Sequence, residues 1–167
     1  MSKEVTAYHE AGHMCAAWDL GLSVTGATIV PNEEVGYMGM VHCPVEERVR
    51  YADWVDEGGY LYSFLVMRLA GPAAADRYTS VSIPDEAVQV ALEHGDSNYN
   101  RAADFILTLA GPDPDKQKEI GERAAGRAQN LVSARWGFVE AVAHALMQHE
   151  TLDEAKCRQV LEDAFRA

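Results

Sequence analysis

A chain of 167 residues is long enough to bury a core as one domain, and 48% hydrophobic against 24% charged residues excludes a disordered polymer. The 14 Lys and Arg side chains stand against 26 Asp and Glu, a formal charge of −12. Such a surface repels phosphate backbones, which argues against nucleic acid as a partner.

The first segment, "KEVTAYHEAGHMCAAWDLG", reads as a helix, because Val5, Tyr8, Ala11, Cys15, Ala16 and Leu20 recur at near-helical intervals. Gly21 is placed to end it. "SVTGATIV" is β-branched and alternating enough for a strand, and "GYMGMVHC" is its expected partner across the turn "PNEEVG". Gly36 and Gly39 weaken that second strand and mark a bulge or a close backbone approach. From "EERVRYADWV" onward the pattern is helical. "GGYLYSFLVMRLAGPAAADRYT" is a strongly apolar helix that Gly71-Pro72 is expected to end, kink or restart. "SIPDEAVQVALEHG" reads as a short helix with Pro84 in its first turn. "DSNYNRAADFILTLAG" begins with capping residues and carries an apolar face of Ala102, Phe105, Ile106 and Leu109. The stretch from Asp113 to Glu150 is helical with a break expected near Gly137, and Thr151 and Glu154 have capping-box spacing for a last helix. No repeat or linker interrupts this order. The expected architecture is a single domain over residues 1–167, mainly α with a small β-sheet (α+β).

Cys15, Cys43 and Cys157 are odd in number and form no close pair, so they read as free thiols of a reducing compartment. No apolar run approaches the roughly 20 residues of a membrane helix. The N-terminus also lacks the basic and apolar regions of a secretory leader. A cytoplasmic chain without membrane insertion is the expectation.

The chemistry is concentrated in H-E-x-x-H, His9 to His13. Residues four apart on a helix leave the same face with Cβ atoms about 6 Å apart, which suits two corners of a tetrahedral zinc site. Glu10 is rotated about 100° from His9, too far to be a ligand beside it. It is placed instead to take a proton from water held by the metal. Gly12, in the middle of this helix, costs about 1 kcal/mol against alanine, so a close approach of backbone or ligand is expected there. The alternative for the histidines is an ordinary core or surface pair. A zinc site also needs a third ligand from a distant segment. His144 and His149 are five apart and are expected to face solvent or lie partly buried; His94 stands next to Asp96, which makes carboxylates near Asp96 the best source.

"AYHEAGHMCAAWDLGLSVTGATIVP" resembles the proteolytic domain of the FtsH-type ATP-dependent zinc metalloproteases, whose motif helix reads H-E-A-G-H-A. "VGYMGM" resembles the strand that follows in that family, "RLAGPAAADRYT" its "LLGGRAAEELVFG" helix, and "HGDSNYNRAAD" its "GASNDLERAT". "VEAVAHALMQHETLDEAKCRQVL" resembles its closing pair of helices. The resemblance runs in order through nearly the whole chain. It implies a zincin-like helical peptidase domain, standing alone without the ATPase module or membrane helices. The family's third zinc ligand is the aspartate of "SNDL", and a gapless alignment through "NRA" puts Asn98 there. Asp96 lies two residues earlier, so either supplies the third ligand, while both residue types also serve as simple helix caps. The resemblance further implies that substrate lies extended beside Gly36, Tyr37, Met38 and Gly39, adding to a sheet edge.

The expected function is that of a zinc-dependent peptidase acting through a metal-activated water. His9, His13 and Asp96 or Asn98 hold Zn2+, and Glu10 is the general base. Its partners would be peptide or unfolded protein, with a homo-oligomer or a separate ATPase as further possibilities. The alternative is a catalytically impaired, peptidase-like domain that binds other proteins, motivated by the asparagine at position 98.

Overall fold

Ser2 opens the first helix as its residue type favours, its hydroxyl accepting from the Val5 N–H at 3.3 Å. The computed structural model describes residues 2–44, 59–79 and 97–167. Helix α1, Lys3–Asp19, is buried without interruption from Thr6 to Ala17, so it is enclosed on every side. It closes as expected at Gly21, whose φ is 71°. The N–H groups of Gly21 and Leu22 donate to the carbonyls of Trp18 and Ala17 at 3.2 and 2.8 Å, a Schellman closure.

Two short strands follow, β1 at Gly26–Thr28 and β2 at Met40–His42, each shorter than the sequence pattern suggests. Between them Asn32 organises the turn. Its side-chain oxygen accepts from the N–H groups of Glu34 and Val35 at 3.1 and 3.2 Å, and Asn32 bridges to Tyr37. Gly36, with φ 81°, completes the reversal.

Helix α2, Tyr60–Thr79, continues through Gly71-Pro72 as one element, so it neither ends nor restarts there. Pro72 cannot donate the bond back to the preceding turn, but its helix buries Leu61, Tyr62, Phe64 to Met67, Ala70 and Ala74. Tertiary packing of that face outweighs the lost hydrogen bond. The segments 46–55 and 82–95, both expected to be helical, lie outside the described residues.

Helix α3, Ser97–Ala110, buries Ala102 and packs Phe105, Ile106 and Leu109 against the core. Asp113 caps helix α4, Pro114–Ala134, accepting from the N–H groups of Asp115 and Lys116. The break expected near Gly137 falls two residues earlier, at Arg135, before helix α5, Trp136–His149. Arg135 reaches across to Asp19 at 3.1 Å and lies over the Phe165 ring. Glu150, with φ 60°, then reverses the chain into a third strand, β3, Thr151–Asp153. The capping box expected from Thr151 and Glu154 is therefore replaced. Thr151 belongs to the strand, and Asp153 caps helix α6, Glu154–Arg166, accepting from the Lys156 N–H at 2.8 Å.

The sheet is antiparallel in the order β2-β1-β3. Ala27 pairs with Val41 on one side and Leu152 on the other, and these three central residues face the core while their neighbours face outward. The Thr28 and Thr151 hydroxyls bond at 2.8 Å across the outer face. The protein is thus mainly α with a small three-stranded antiparallel sheet. Among the described residues, no helix is long and apolar enough to cross a membrane.

Helix α1 is the centre, packed chiefly on α2 and α5. The closest approach is at Gly12, where a Cβ would overlap the Ala70 carbonyl oxygen and stand 2.7 Å from the Ala74 Cβ. Gly12→Ala should therefore cost about 1–3 kcal/mol through overpacking, although alanine is the better helix former by about 1 kcal/mol. Denaturant unfolding checks the sign, and a gain in stability would show that the helices stand further apart. Burial also pushes the Cys43 and Cys157 thiols up from 9.0 to about 11. Between those pH values the folded chain keeps protons that the unfolded chain sheds, so stability is full below pH 9.0 and falls as pH rises toward 11. Unfolding midpoints measured across that window should show the fall, and Cys43→Ala and Cys157→Ala should flatten it.

Candidate metal centre

Four polar or charged side chains are buried among the described residues, Thr6, His9, Glu10 and His13, and all belong to α1. Charged and imidazole groups are seldom enclosed without a partner or a task. His9 and His13 lie one turn apart, and their Nε2 atoms converge to 3.1 Å with the rings crossing at 80°. Two nitrogen ligands each about 2.0–2.1 Å from a tetrahedral ion stand about 3.3 Å apart, so the pair fits zinc within a few tenths of an ångström.

The far side of His13 is held by α2. Its Nδ1 lies 2.8 Å from the Met67 carbonyl oxygen, which can only accept, so Nδ1 carries the proton and Nε2 the lone pair. Burial, and then the neighbouring His9, hold the His13 pKa well below 6.5. The ring is therefore neutral near pH 7, the form in which imidazole binds a metal. It rests flat on Gly71, where a Cβ would overlap Nε2 and Cε1.

Glu10 faces the other wall. A Cβ at Gly39 would stand 2.7 Å from the Glu10 Oε1, so the chain just before β2 runs directly over the carboxylate. Gly39 thus meets Glu10, while Gly36 and Tyr37 belong to the preceding turn and Met38 is exposed. Strand β2 forms one edge of the sheet, and Val35, Met38 and Met40 are exposed along this approach.

Asn98 stands in the first turn of α3, and Asp96 lies outside the described residues. Among the described residues, no group of three or more His, Cys, Asp or Glu is placed to hold a metal ion. His42, bonded to the Thr25 hydroxyl, and His144 and His149 are exposed. The Met67 carbonyl could not be read from the residues, because a main-chain oxygen has no residue identity. The small residues of "LAGPAAA" were the available signal for Gly71.

Next to His9, Tyr8 is stacked between Tyr78, at 3.9 Å between centroids, and Trp136, at 5.5 Å, with Arg77 over Trp136 at 4.7 Å. This pile fastens the end of α2 and the start of α5 to the helix that carries the histidines.

No protein-family model matches the chain. It is similar to an ATP-dependent zinc metalloprotease FtsH of Oenococcus oeni, 27% identical over an alignment that covers 96% of this chain and 26% of that protein. The chain spans about a quarter of the length of this curated relative.

Trp136→Ala should lower stability by about 2 kcal/mol, the sum of lost stacking and partial burial. Thermal unfolding checks this, and a change below about 0.5 kcal/mol would show that the stack is ornamental to the helix junction.

Proposed function

We propose that this chain is a zinc-dependent peptidase domain of the FtsH type that hydrolyses peptide bonds in unfolded protein. The observation that carries the reading is the convergence of two buried imidazole Nε2 atoms at 3.1 Å, one of them oriented from behind by a main-chain carbonyl. The similarity to a zinc metalloprotease over nearly the whole chain supports the same conclusion. His9 and His13 hold the ion, and Asp96 or Asn98 supplies the third ligand. The chemistry zinc supplies when bound is Lewis acidity toward a carbonyl oxygen and a lowered pKa for water.

The remaining steps belong to the chain. Glu10, one residue round the helix from the ligands, takes a proton from the attacking water and delivers it to the leaving amide nitrogen. The enclosing helices exclude bulk water, so the carboxylate acts in a low dielectric where proton transfer and charge stabilisation are strongest. The edge of β2 and the residues leading into it bind extended peptide by main-chain hydrogen bonds. The exposed Met38 and Met40 offer adaptable apolar contact to side chains of that peptide. A separate ATPase, or a ring of copies of this chain, would supply unfolded substrate. The unpaired thiols of Cys15, Cys43 and Cys157 suit a cytoplasmic setting.

A second reading, a binding module that has lost turnover, is favoured by the neutral Asn98 at the family's aspartate position. Metal analysis and casein hydrolysis separate the two. The peptidase binds one zinc per chain, and Glu10→Gln keeps the ion while losing activity about 10²-fold or more. Of Asp96→Ala and Asn98→Ala, the one that removes a ligand weakens zinc binding and the other leaves it unchanged. Folded protein that stays metal-free in excess zinc, or full activity in Glu10→Gln, would refute the reading.

A further inference from the structure

Two groups of the site, His13 and Glu10, meet bare main chain. A Cβ at Gly71 would overlap Nε2 and Cε1 of His13 and lie 2.8 Å from Cδ2, so the three nearest atoms are all in that ring. Met67, whose carbonyl accepts from the same ring, precedes Gly71 by four residues. One face of α2 therefore provides both the acceptor that orients the imidazole and the flat surface under it. At Gly39 a Cβ would lie 2.7 Å from Oε1 and 2.9 Å from Cγ of Glu10, with the Thr6 Cγ2 also at 2.7 Å. Backbone conformation demands glycine at neither position. The glycines with positive φ are Gly21, Gly36 and Gly111 among the described residues. What Gly71 requires is room for the His13 ring, and what Gly39 requires is room for Glu10 and its neighbour Thr6.

We propose that Gly71 and Gly39 are positioning residues for separate parts of the site, an inference that rests on the peptidase reading. Gly71 sets the direction of the His13 Nε2 and thereby how tightly the ion is held. Gly39 sets where the Glu10 carboxylate stands and thereby the rate of turnover. A methyl group at the first position displaces a ligand; at the second it displaces the base.

The test uses the full chain with zinc and cobalt(II), each titrated against a chelator, together with casein hydrolysis and thermal unfolding. Gly71→Ala should weaken zinc binding about tenfold or more, the scale of lost ligand support, and change the visible spectrum of bound cobalt. Gly39→Ala should keep zinc affinity within about twofold and lower kcat at unchanged KM. A KM that rises at unchanged kcat would assign Gly39 to substrate contact and overturn its role. Wild-type zinc affinity in Gly71→Ala would overturn the other half. Stability gives an independent check. The loss of Tm caused by Gly71→Ala should disappear in a His13→Ala background, where the ring is gone, and an equal loss in both backgrounds would reduce Gly71 to helix packing. Wild-type protein that binds neither metal refutes the peptidase reading itself, whereas metal-binding wild type with an equally tight Gly71→Ala refutes only the glycine assignment.

Discussion

The crossing of α1 over α2 is the constraint from which the rest of the molecule follows. Gly12 brings the two backbones so close that the Ala70 carbonyl occupies the space where a side chain would stand. At that separation, the next residue of α1, His13, can lie against Gly71 and reach the Met67 carbonyl. A wider crossing would leave the imidazole free to rotate and its Nε2 without a fixed direction. The cost of glycine inside a helix is offset because the same contact that fixes the packing fixes the site.

Enclosure then does chemical work. His9, Glu10 and His13 are all buried, and the desolvation that holds His13 neutral is the condition for it to offer a lone pair. The same burial sets a desolvation cost on any protonated imidazole enclosed there. Tyr8, clamped between Tyr78 and Trp136, keeps this turn of α1 from shifting along its axis.

What could be read from the residues divides by the range of the forces involved. The helix bearing H-E-x-x-H, its end at Gly21, the turn around Asn32 and the apolar face of α3 depend on neighbours a few positions away, and they were legible. Gly12 was legible as an anomaly because a local penalty implied a distant compensation. Pro72 misled, since the break it favours locally is outweighed by packing that only the folded chain contains. The strand at Thr151–Asp153 was invisible for the same reason: three residues carry no period, and their pairing is decided by the reversal at Glu150 and the free edge of β1. Within the site, the two histidines announced themselves by spacing. Gly39, against Glu10, was legible as a close backbone approach, whereas what holds His13, a carbonyl on Met67 and the absence of a side chain at Gly71, is a property of the main chain.

That late strand has a consequence for how the chain matures. Residues Gly26–Thr28 are flanked on one side by nearby β2, but their other side is paired by Thr151–Asp153, more than a hundred positions downstream. During synthesis the early sheet must therefore leave the ribosome with an unpaired border, exposed to strangers until the last strand emerges. Completion of the small sheet, with Thr28 bonded to Thr151 across it and Lys3 paired with Glu150 beside it, therefore waits for residues far downstream of its first strand.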